Sequence, residues 1–251
     1  SVIKDLPQAD GRLTLAYSRI YDSANQTVWF QVEEGGRVGD FYGTGYQKNE
    51  NGEFLIDDDG NYIADDNLKK SGNYNPDFTL GWRNNFNYKN WNMSFLFDWR
   101  QGGEIVSRTR ALGNVGGQLA ETSYRPDAGI VAQGVNVNSG QTNTVAITAE
   151  SYYRQFYDRN HEENNVYDAS FLKLRQCSIG YTFNFKEGFL GLKEGADLNL
   201  SLVGNNLFAI TENPHFDPEQ LAVQGNGFVS GVEDMSYATT RSIGFKAGFN
   251  F

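Results

Sequence analysis

The stretch that decides the fold is Thr239–Phe251, TTRSIGFKAGFNF, in which two kinds of residue alternate. From Ile243 onward every second residue is apolar, and the residues between them are small, polar or charged. A period of two is typical of a β-strand with one apolar and one polar face. The apolar set is Ile243, Phe245, Ala247, Phe249 and Phe251, and the other set is Gly244, Lys246, Gly248 and Asn250.

The same alternation recurs along the chain and predicts about seven strands. Within Trp91–Trp99, a tryptophan stands at each end and phenylalanines stand between, which is typical of the aromatic girdles flanking the apolar band of an outer-membrane barrel. In Phe171–Phe183, Phe171 is assigned to the apolar face. Lys173 and Arg175 follow Phe171 at intervals of two residues and would lie on the same face. Because both are charged, we expect them to lie above the apolar band. The predicted strands are Arg12–Tyr21, Thr27–Glu34, Phe78–Tyr88, Trp91–Trp99, Phe171–Phe183, Asp197–Ala209 and Thr239–Phe251.

The connections between these strands alternate in length. Outer-membrane barrels have short periplasmic turns and long outer loops, whereas an antiparallel β-sandwich has strands of commonly about five or six residues. The fold class predicted is therefore all-β, an antiparallel transmembrane β-barrel with its long segments outside. Single-chain barrels of this kind have an even number of strands from about eight upward, so we expect residues 1–251 to be the C-terminal portion of a larger barrel domain. The short connections are Asp22–Gln26, Lys89–Asn90 and Lys186–Ala196, and the long ones are Gly35–Asp77, Gly102–Asp168 and Ile210–Ala238.

The composition narrows the class of partner. A net charge of −10 argues against nucleic acid, because phosphate binding needs clustered lysine and arginine. The single cysteine, Cys177, excludes an internal disulfide framework and any site built from several cysteines. No stretch approaches the roughly 20 apolar residues that a membrane helix requires.

Few residues suggest metal or catalytic chemistry. The run Asp57–Asn61 (DDDGN) is a candidate Ca²⁺ loop, but it lacks the EF-hand spacing and also suits a hairpin turn. His161 and His215 are too far apart to form a zinc signature. No nucleophile elbow, P-loop or dinucleotide motif occurs, so the sequence predicts no enzyme, no catalytic residue, no cofactor and no metal site beyond that Ca²⁺ candidate.

The best candidate for substrate contact is Glu150–Arg159, ESYYRQFYDR, a predicted short helix within the second long segment. It carries Tyr153, Arg154 and Tyr157, and aromatic rings beside hydrogen-bonding groups suit sugars or peptides. The alternative is that these residues pack the loop or face a lid protein.

Three charged residues occupy strand positions that belong to the polar faces: Arg83, Asp98 and Lys246. On a barrel they would face the lumen. We expect them to pair with each other or with a domain inside the barrel.

Several motifs together resemble the SusC/RagA type of TonB-dependent transporter. Glu34–Gly43, EGGRVGDFYG, is similar to the EGxPxGxFYG segment of that family, with Arg37 where proline is usual. No single motif is specific, but their order and spacing match the C-terminal portion of the family over nearly the whole chain. The further matches are Ser71–Phe78 (SGNYNPDF), Asn85–Asn90 (NFNYKN), Asp98–Gly103 (DWRQGG), Asp168–Arg175 (DASFLKLR), Val203–Phe208 (VGNNLF) and Phe249–Phe251 (FNF).

The resemblance implies a 22-stranded barrel in the outer membrane of a Gram-negative bacterium, in contact with membrane lipid and filled by an N-terminal plug that is absent from residues 1–251. It implies TonB-dependent active import of oligosaccharides or peptides. The implied partners are a SusD-like surface lipoprotein and, through the missing N-terminal part, the TonB complex. The alternatives are a passive porin or structural outer-membrane protein, and a soluble carbohydrate-binding β-sandwich.

Overall fold

The computed structural model describes residues 2–6, 11–14, 29–158, 161–185, 195–213, 216–224 and 227–250. The described residues are mostly strands, with two α-helices, α1 (Arg108–Val115) and α2 (Ala149–Phe156), and two 3₁₀ turns, Ala120–Ser123 and Glu162–Asn165. The strands are β1 (Arg12–Thr14), β2 (Trp29–Glu33), β3 (Asp40–Tyr46), β4 (Leu55–Ile56), β5 (Ala64–Asn73), β6 (Phe78–Tyr88), β7 (Trp91–Gln101), β8 (Glu104–Ser107), β9 (Ile130–Val131), β10 (Val135–Asn136), β11 (Ala146–Ile147), β12 (Val166–Asp168), β13 (Phe171–Asn184), β14 (Asp197–Ile210), β15 (Ala222–Gln224), β16 (Gly227–Val229), β17 (Val232–Glu233) and β18 (Ser242–Asn250).

The chain forms two compact units, each made of three separate segments. The first, the loop unit, comprises Ser1–Asn75, Gly103–Asp168 and Asn213–Tyr237. The second, the sheet unit, comprises Pro76–Gly102, Ala169–Glu212 and Ala238–Phe251.

The sheet unit contains one five-stranded antiparallel sheet in the order β18-β14-β13-β7-β6. These are five of the seven strands predicted from the alternation, and their bounds differ from the predicted ones by at most three residues. The tight turn predicted at Lys89–Asn90 joins β6 to β7, and Lys89 adopts a left-handed backbone conformation with φ of 53°. Phe251 and the Lys186–Glu194 part of the short connection lie outside the described residues.

The pairing register confirms the predicted faces. One row of directly paired residues crosses all five strands and is entirely apolar: Phe86, Met93, Ile179, Leu202 and Phe245. Paired residues on antiparallel strands point to the same side of a sheet, so this row belongs to one face. The adjacent row lies on the opposite face and consists of Asn85, Ser94, Ser178, Val203 and Gly244.

The apolar face is exposed. Phe245 and Ile243 each keep 69% of their surface accessible, and Trp82 keeps 54%. Aromatic rings contact each other along this face, with ring centroids 5.0 Å apart for Phe78 and Trp99. Soluble monomers rarely expose a contiguous apolar surface of this extent, which marks it as a surface that contacts lipid or another protein.

A β-bulge in β13 corrects the prediction for Lys173 and Arg175. The pairing with β7 shifts between Leu174 and Gln176, so Arg175 is one extra residue in the strand. Because side chains alternate with a period of two, one extra residue reverses the parity of everything before it. Lys173 therefore lies opposite Asp98 in the strand register, on the polar face.

The residues before the bulge follow the same reversal. Phe171 pairs with Arg100 on the polar face, so its assignment to the apolar face was wrong, whereas Leu172 pairs with Trp99 and takes its place on the apolar face. The guanidinium of Arg175 forms an ion pair with Asp98, with Nη2 2.8 Å from Oδ2.

The three charges predicted on the polar face do not pair with each other. Asp98 pairs with Arg175, while Arg83 lies opposite Leu96. Within the described ranges, Arg83 and Lys246 form no ion pair.

The loop unit contains a four-stranded sheet in the order β1-β2-β3-β5. Strands β1 and β2 are the described parts of the two predicted N-terminal strands, and residues 15–28 with their turn lie outside the described ranges. The segment Gly35–Asp77 is not a simple loop as predicted, because it contains β3 and β5 paired with each other.

The three long segments predicted to lie on one side pack into one body. A first core joins residues from all three of them, and it includes Phe41, Val106 and Val232. A second core is built around Tyr46, Ile56 and Tyr62, with α2 contributing Tyr152 and Phe156.

Among the described residues, no helix combines the length and apolar character needed to cross a membrane.

Candidate functional site

Helix α1 begins and ends at well-defined caps. Ser107 is the N-cap, and its Oγ accepts a hydrogen bond from the Arg110 N–H at 3.1 Å. The Ser107 hydroxyl itself donates to the buried carboxylate of Glu233 at 2.8 Å, which ties the start of the helix to β17. The helix ends at Gly116 and Gly117, where the Gly117 N–H donates to the Asn114 carbonyl at 2.9 Å.

Helix α2 is capped by Thr148, whose Oγ1 accepts from the Ser151 N–H at 3.1 Å. Glu150 lies in its first turn and Arg154 in its last, which complements the helix dipole. Their side chains also form an exposed ion pair, Nε to Oε1, at 3.0 Å. This confirms the short helix expected in Glu150–Arg159.

A cavity of about 290 Å³ lies where the C-terminal end of α1 meets α2. This α1–α2 cavity is the candidate site, because it contains two of the three residues predicted to contact substrate. Its lining includes Asn114, Gly117, Arg125, Glu150, Tyr153 and Arg154.

Tyr153 supports one wall of the cavity. It is 8% exposed, and its hydroxyl lies 2.9 Å from the Glu121 carbonyl and 3.0 Å from the Tyr124 carbonyl. A tyrosine hydroxyl is protonated at neutral pH and can donate a hydrogen bond, and burial raises the pKa of Tyr153 further. Tyr153 therefore connects α2 to the segment that leads into Arg125.

Arg125 is held in a fixed orientation in the cavity. Its Nε donates to the Thr122 carbonyl at 2.7 Å, and its Nη2 donates to the Gly117 carbonyl at 2.5 Å. Gly117 has φ of +66°, a left-handed backbone conformation that favours glycine. Arg125 has no carboxylate partner among the residues the structure describes.

Asn114 is a second polar residue of the lining, and its side chain has no hydrogen-bond partner among the described residues. It is fully buried at 0% exposure, and neither its Nδ2 nor its Oδ1 makes a hydrogen bond within the described part of the chain. A buried polar group left unsatisfied costs about 1–3 kcal/mol, so its presence calls for a physical reason.

The other predicted contact residues have different places. Arg154 lies at the mouth of the cavity with its side chain 60% exposed. Tyr157 is the C-cap of α2 and packs edge-on against Phe156, with centroids 4.9 Å apart. Burial raises the pKa of Tyr157 as well, and this residue is not part of the cavity lining.

The acidic run is a hairpin turn. The Asp57 carboxylate accepts the backbone N–H groups of Asp59 at 2.9 Å and Asn61 at 2.8 Å. The Asp58 carboxylate accepts the side-chain amides of Asn136 and Asn138 at 2.9 and 2.8 Å. Both carboxylates are thus engaged by N–H donors.

The histidines show no metal site in the described part of the chain. His161 Nδ1 lies 3.0 Å from the Thr44 hydroxyl, and its ring packs near Tyr46. His215 lies outside the described residues. No group of three or more potential metal ligands occurs among the residues that the structure describes.

No family model matches the chain. Two curated proteins of Formosa agariphila are similar in sequence. TonB-dependent receptor P3 is 31% identical over 242 residues, covering 87% of this chain and 22% of the relative. TonB-dependent receptor P39 is 29% identical over 197 residues, covering 78% of this chain and 18% of the relative. The chain therefore spans about a fifth of the length of these relatives.

Solved structures show the same fold. The RagAB peptide importer in its open-open state superposes with a TM-score of 0.55 at 16% identity, over 97% of this chain and 24% of that one. The closed-closed state gives a TM-score of 0.53 at 16% identity, over 94% of this chain and 24% of that one.

Proposed function

Because the chain is related in sequence and fold to a segment of SusC/RagA-type TonB-dependent transporters, we propose that it forms part of the barrel and outer loops of an active importer. Its location is the outer membrane of a Gram-negative bacterium. The observation that carries the proposal is the apolar face of the five-stranded sheet, which is continuous from Phe86 on β6 to Phe245 on β18.

The two faces of the sheet suit two different solvents. A face of exposed phenylalanine, tryptophan and leucine side chains is stable against lipid tails and unstable against water. The opposite face carries Ser94, Ser178 and the Asp98–Arg175 ion pair, which suit a polar lumen. The alternation is therefore that of a barrel wall, with lipid outside and polar groups inside.

The importer takes up oligosaccharides or peptides, in the proposal, and a SusD-like lipoprotein covers it at the cell surface. The similar solved structures are of the RagAB peptide importer, which supports uptake of peptides. Energy for transport comes from the TonB complex, through parts of the transporter other than these residues. The protein moves its substrate unchanged and is not an enzyme.

Substrate contact falls, in the proposal, to the α1–α2 cavity and α2. Arg154 contacts substrate at the mouth of the cavity, and Tyr153 contacts it as part of the cavity wall. Tyr157, at the far end of the helix, contacts substrate outside the cavity.

The test is energised uptake by cells that express the full-length transporter. Fluorescently labelled peptides and oligosaccharides are offered to wild-type cells, to cells lacking this gene and to cells lacking TonB. We expect uptake of at least one class of substrate to need both this gene and TonB. Uptake that needs this gene but survives the loss of TonB would instead show a passive pore.

A further inference from the structure

The α1–α2 cavity is positively charged in an acidic chain. The chain as a whole carries a net charge of −10. The lining of the cavity contains two arginines, Arg125 and Arg154, and one acid, Glu150, which leaves a net charge of +1. Arg154 and Glu150 form an ion pair with each other, so the net charge belongs to Arg125.

The Arg125 guanidinium is prepared for an anion. Two backbone carbonyls orient it, and they use only its Nε and Nη2 groups. A guanidinium has five N–H donors in a rigid plane that matches the two oxygens of a carboxylate. Because the orientation is already fixed, binding an anion there costs little additional ordering of the side chain.

Asn114 supplies complementary groups in the same cavity. Its buried Nδ2 and Oδ1 have no hydrogen-bond partner within the described residues. The Nδ2 group can donate to a carboxylate oxygen, and Oδ1 can accept an N–H or O–H from the group that carries the carboxylate. Because the amide is 0% exposed, a ligand reaches it only after the side chain turns toward the cavity. A ligand with an acid next to a hydrogen-bond donor would then satisfy both atoms and remove the cost of burying them.

We infer that the α1–α2 cavity binds a carboxylate group of the transported molecule, with Arg125 as the cationic partner and Asn114 as the hydrogen-bonding partner. This inference rests on the proposed import function, whose substrate class it narrows to acidic oligomers. An acidic peptide and a sugar acid present the same chemistry, an anionic carboxylate beside N–H or O–H groups.

The experiment measures binding to the purified full-length transporter in detergent by isothermal titration calorimetry. The peptide probes are acetyl-Gly-Glu-Gly-amide and its neutral counterpart, acetyl-Gly-Gln-Gly-amide. The sugar probes are trigalacturonic acid and its neutral methyl ester. The variants are Arg125→Met, which keeps the stem of the side chain, and Arg37→Met, an exposed arginine in the turn between β2 and β3, as the matched control.

We expect one acidic probe to bind at least tenfold more tightly than its neutral counterpart. Arg125→Met should remove that preference, since a hydrogen bond to a charged group is lost, while Arg37→Met should preserve it. The peptide pair and the sugar pair show which source the carboxylate has. Equal binding of the acidic and neutral probes, or no binding of either acid, would overturn the inference.

Asn114→Leu separates binding from folding. The Asn114 amide forms no hydrogen bond that would be lost, so this near-isosteric change should leave the melting temperature unchanged or raise it. Binding of the acidic probe should still fall at least tenfold. A lower melting temperature with unchanged affinity would assign Asn114 a structural role and refute its part in the site.

The binding measurement does not depend on TonB. Acid-selective binding without TonB-dependent uptake would refute the import function and leave the carboxylate site standing. TonB-dependent uptake with no preference for acidic probes would refute the site and leave the function standing.

Discussion

Replacing Phe95 with arginine tests whether the apolar face of the sheet contacts lipid. Phe95 lies midway along β7 between Trp91 and Trp99, which bound the apolar band. With a rise of about 3.4 Å per residue and a strand tilt of about 40°, each tryptophan lies roughly 10 Å from Phe95 along the membrane normal. Phe95 is therefore near the middle of the bilayer.

The cost has two parts. An arginine on the lipid face near the midplane destabilises a barrel by about 2–4 kcal/mol. The change also removes ring contacts with Trp82 and Phe97, whose centroids lie 5.2 and 5.4 Å away. Aromatic pairs of this kind are worth about 0.5–1.5 kcal/mol each, so the two contacts add about 1–3 kcal/mol. We therefore expect a total loss of about 3–7 kcal/mol.

The assay is guanidinium unfolding of the full-length transporter in lipid vesicles, followed by tryptophan fluorescence. Phe95→Leu is the first control and loses the ring contacts alone, at about 1–3 kcal/mol. Gly244→Arg is the second control, because Gly244 lies on the polar face and a Cβ built there meets no described atom within 4 Å. We expect it to cost less than about 1 kcal/mol. If Phe95→Arg costs no more than Gly244→Arg, the assignment of this face to lipid is wrong.

Two further changes test other parts of the structure. Asp98→Ala leaves the half-buried Arg175 without its carboxylate, and we expect a loss of about 1–3 kcal/mol, which Asp98→Ala combined with Arg175→Ala should partly restore in a double-mutant cycle. Full additivity of the two changes would refute the pair. Burial acts to raise the pKa of Asp40, but hydrogen bonds from Asn73 and Lys70 lower it below its ordinary value. Asp40 therefore stabilises the fold above about pH 4, and this stabilisation disappears as the pH falls through the lowered pKa. The difference in melting temperature between wild type and Asp40→Asn should shrink between about pH 6 and about pH 3, and a constant difference would contradict the origin of the effect.

The five-stranded sheet could be predicted from the sequence because each of its strands has one apolar and one polar face. The β-bulge could not be placed, since a single extra residue reverses the parity without changing the composition. The sign of the bulge in the sequence is the break in alternation at Lys173 and Arg175. The same break also fits two charged side chains that lie above the apolar band, which is the prediction that the structure corrects. The register shift shows instead that Arg175 is the extra residue of the bulge and that Lys173 lies on the polar face.

The hairpin β3–β5 was missed for a different physical reason. Asp40–Tyr46 is buried on both sides, so its residues do not alternate between apolar and polar. Ala64–Asn73 is mostly polar and charged, and it shows no apolar stripe. A period of two identifies a strand only when its two faces meet different environments.

The candidate site was predictable only in part. Tyr153 and Arg154 stand on a helix whose composition suits substrate contact, and the structure places both in the lining of the α1–α2 cavity. Asn114 and Arg125 carry no motif. Among the described residues, the Asn114 side chain lacks a hydrogen-bond partner and Arg125 lacks a carboxylate partner. These features depend on how distant segments pack, so the sequence does not show them.

The most direct test of the central claim is the accessibility of spin labels along β18 in the full-length transporter. Single cysteines at each position from Ile243 to Phe249, in a background without Cys177, are labelled with a nitroxide in lipid vesicles. Power-saturation electron paramagnetic resonance then measures collisions with oxygen, which concentrates in lipid, and with a water-soluble nickel chelate. If the sheet is part of a barrel wall, the oxygen accessibility of the labels alternates with a period of two. It is then high at positions 243, 245, 247 and 249 and low at positions 244, 246 and 248. A uniform profile, or one of opposite phase, would contradict the account.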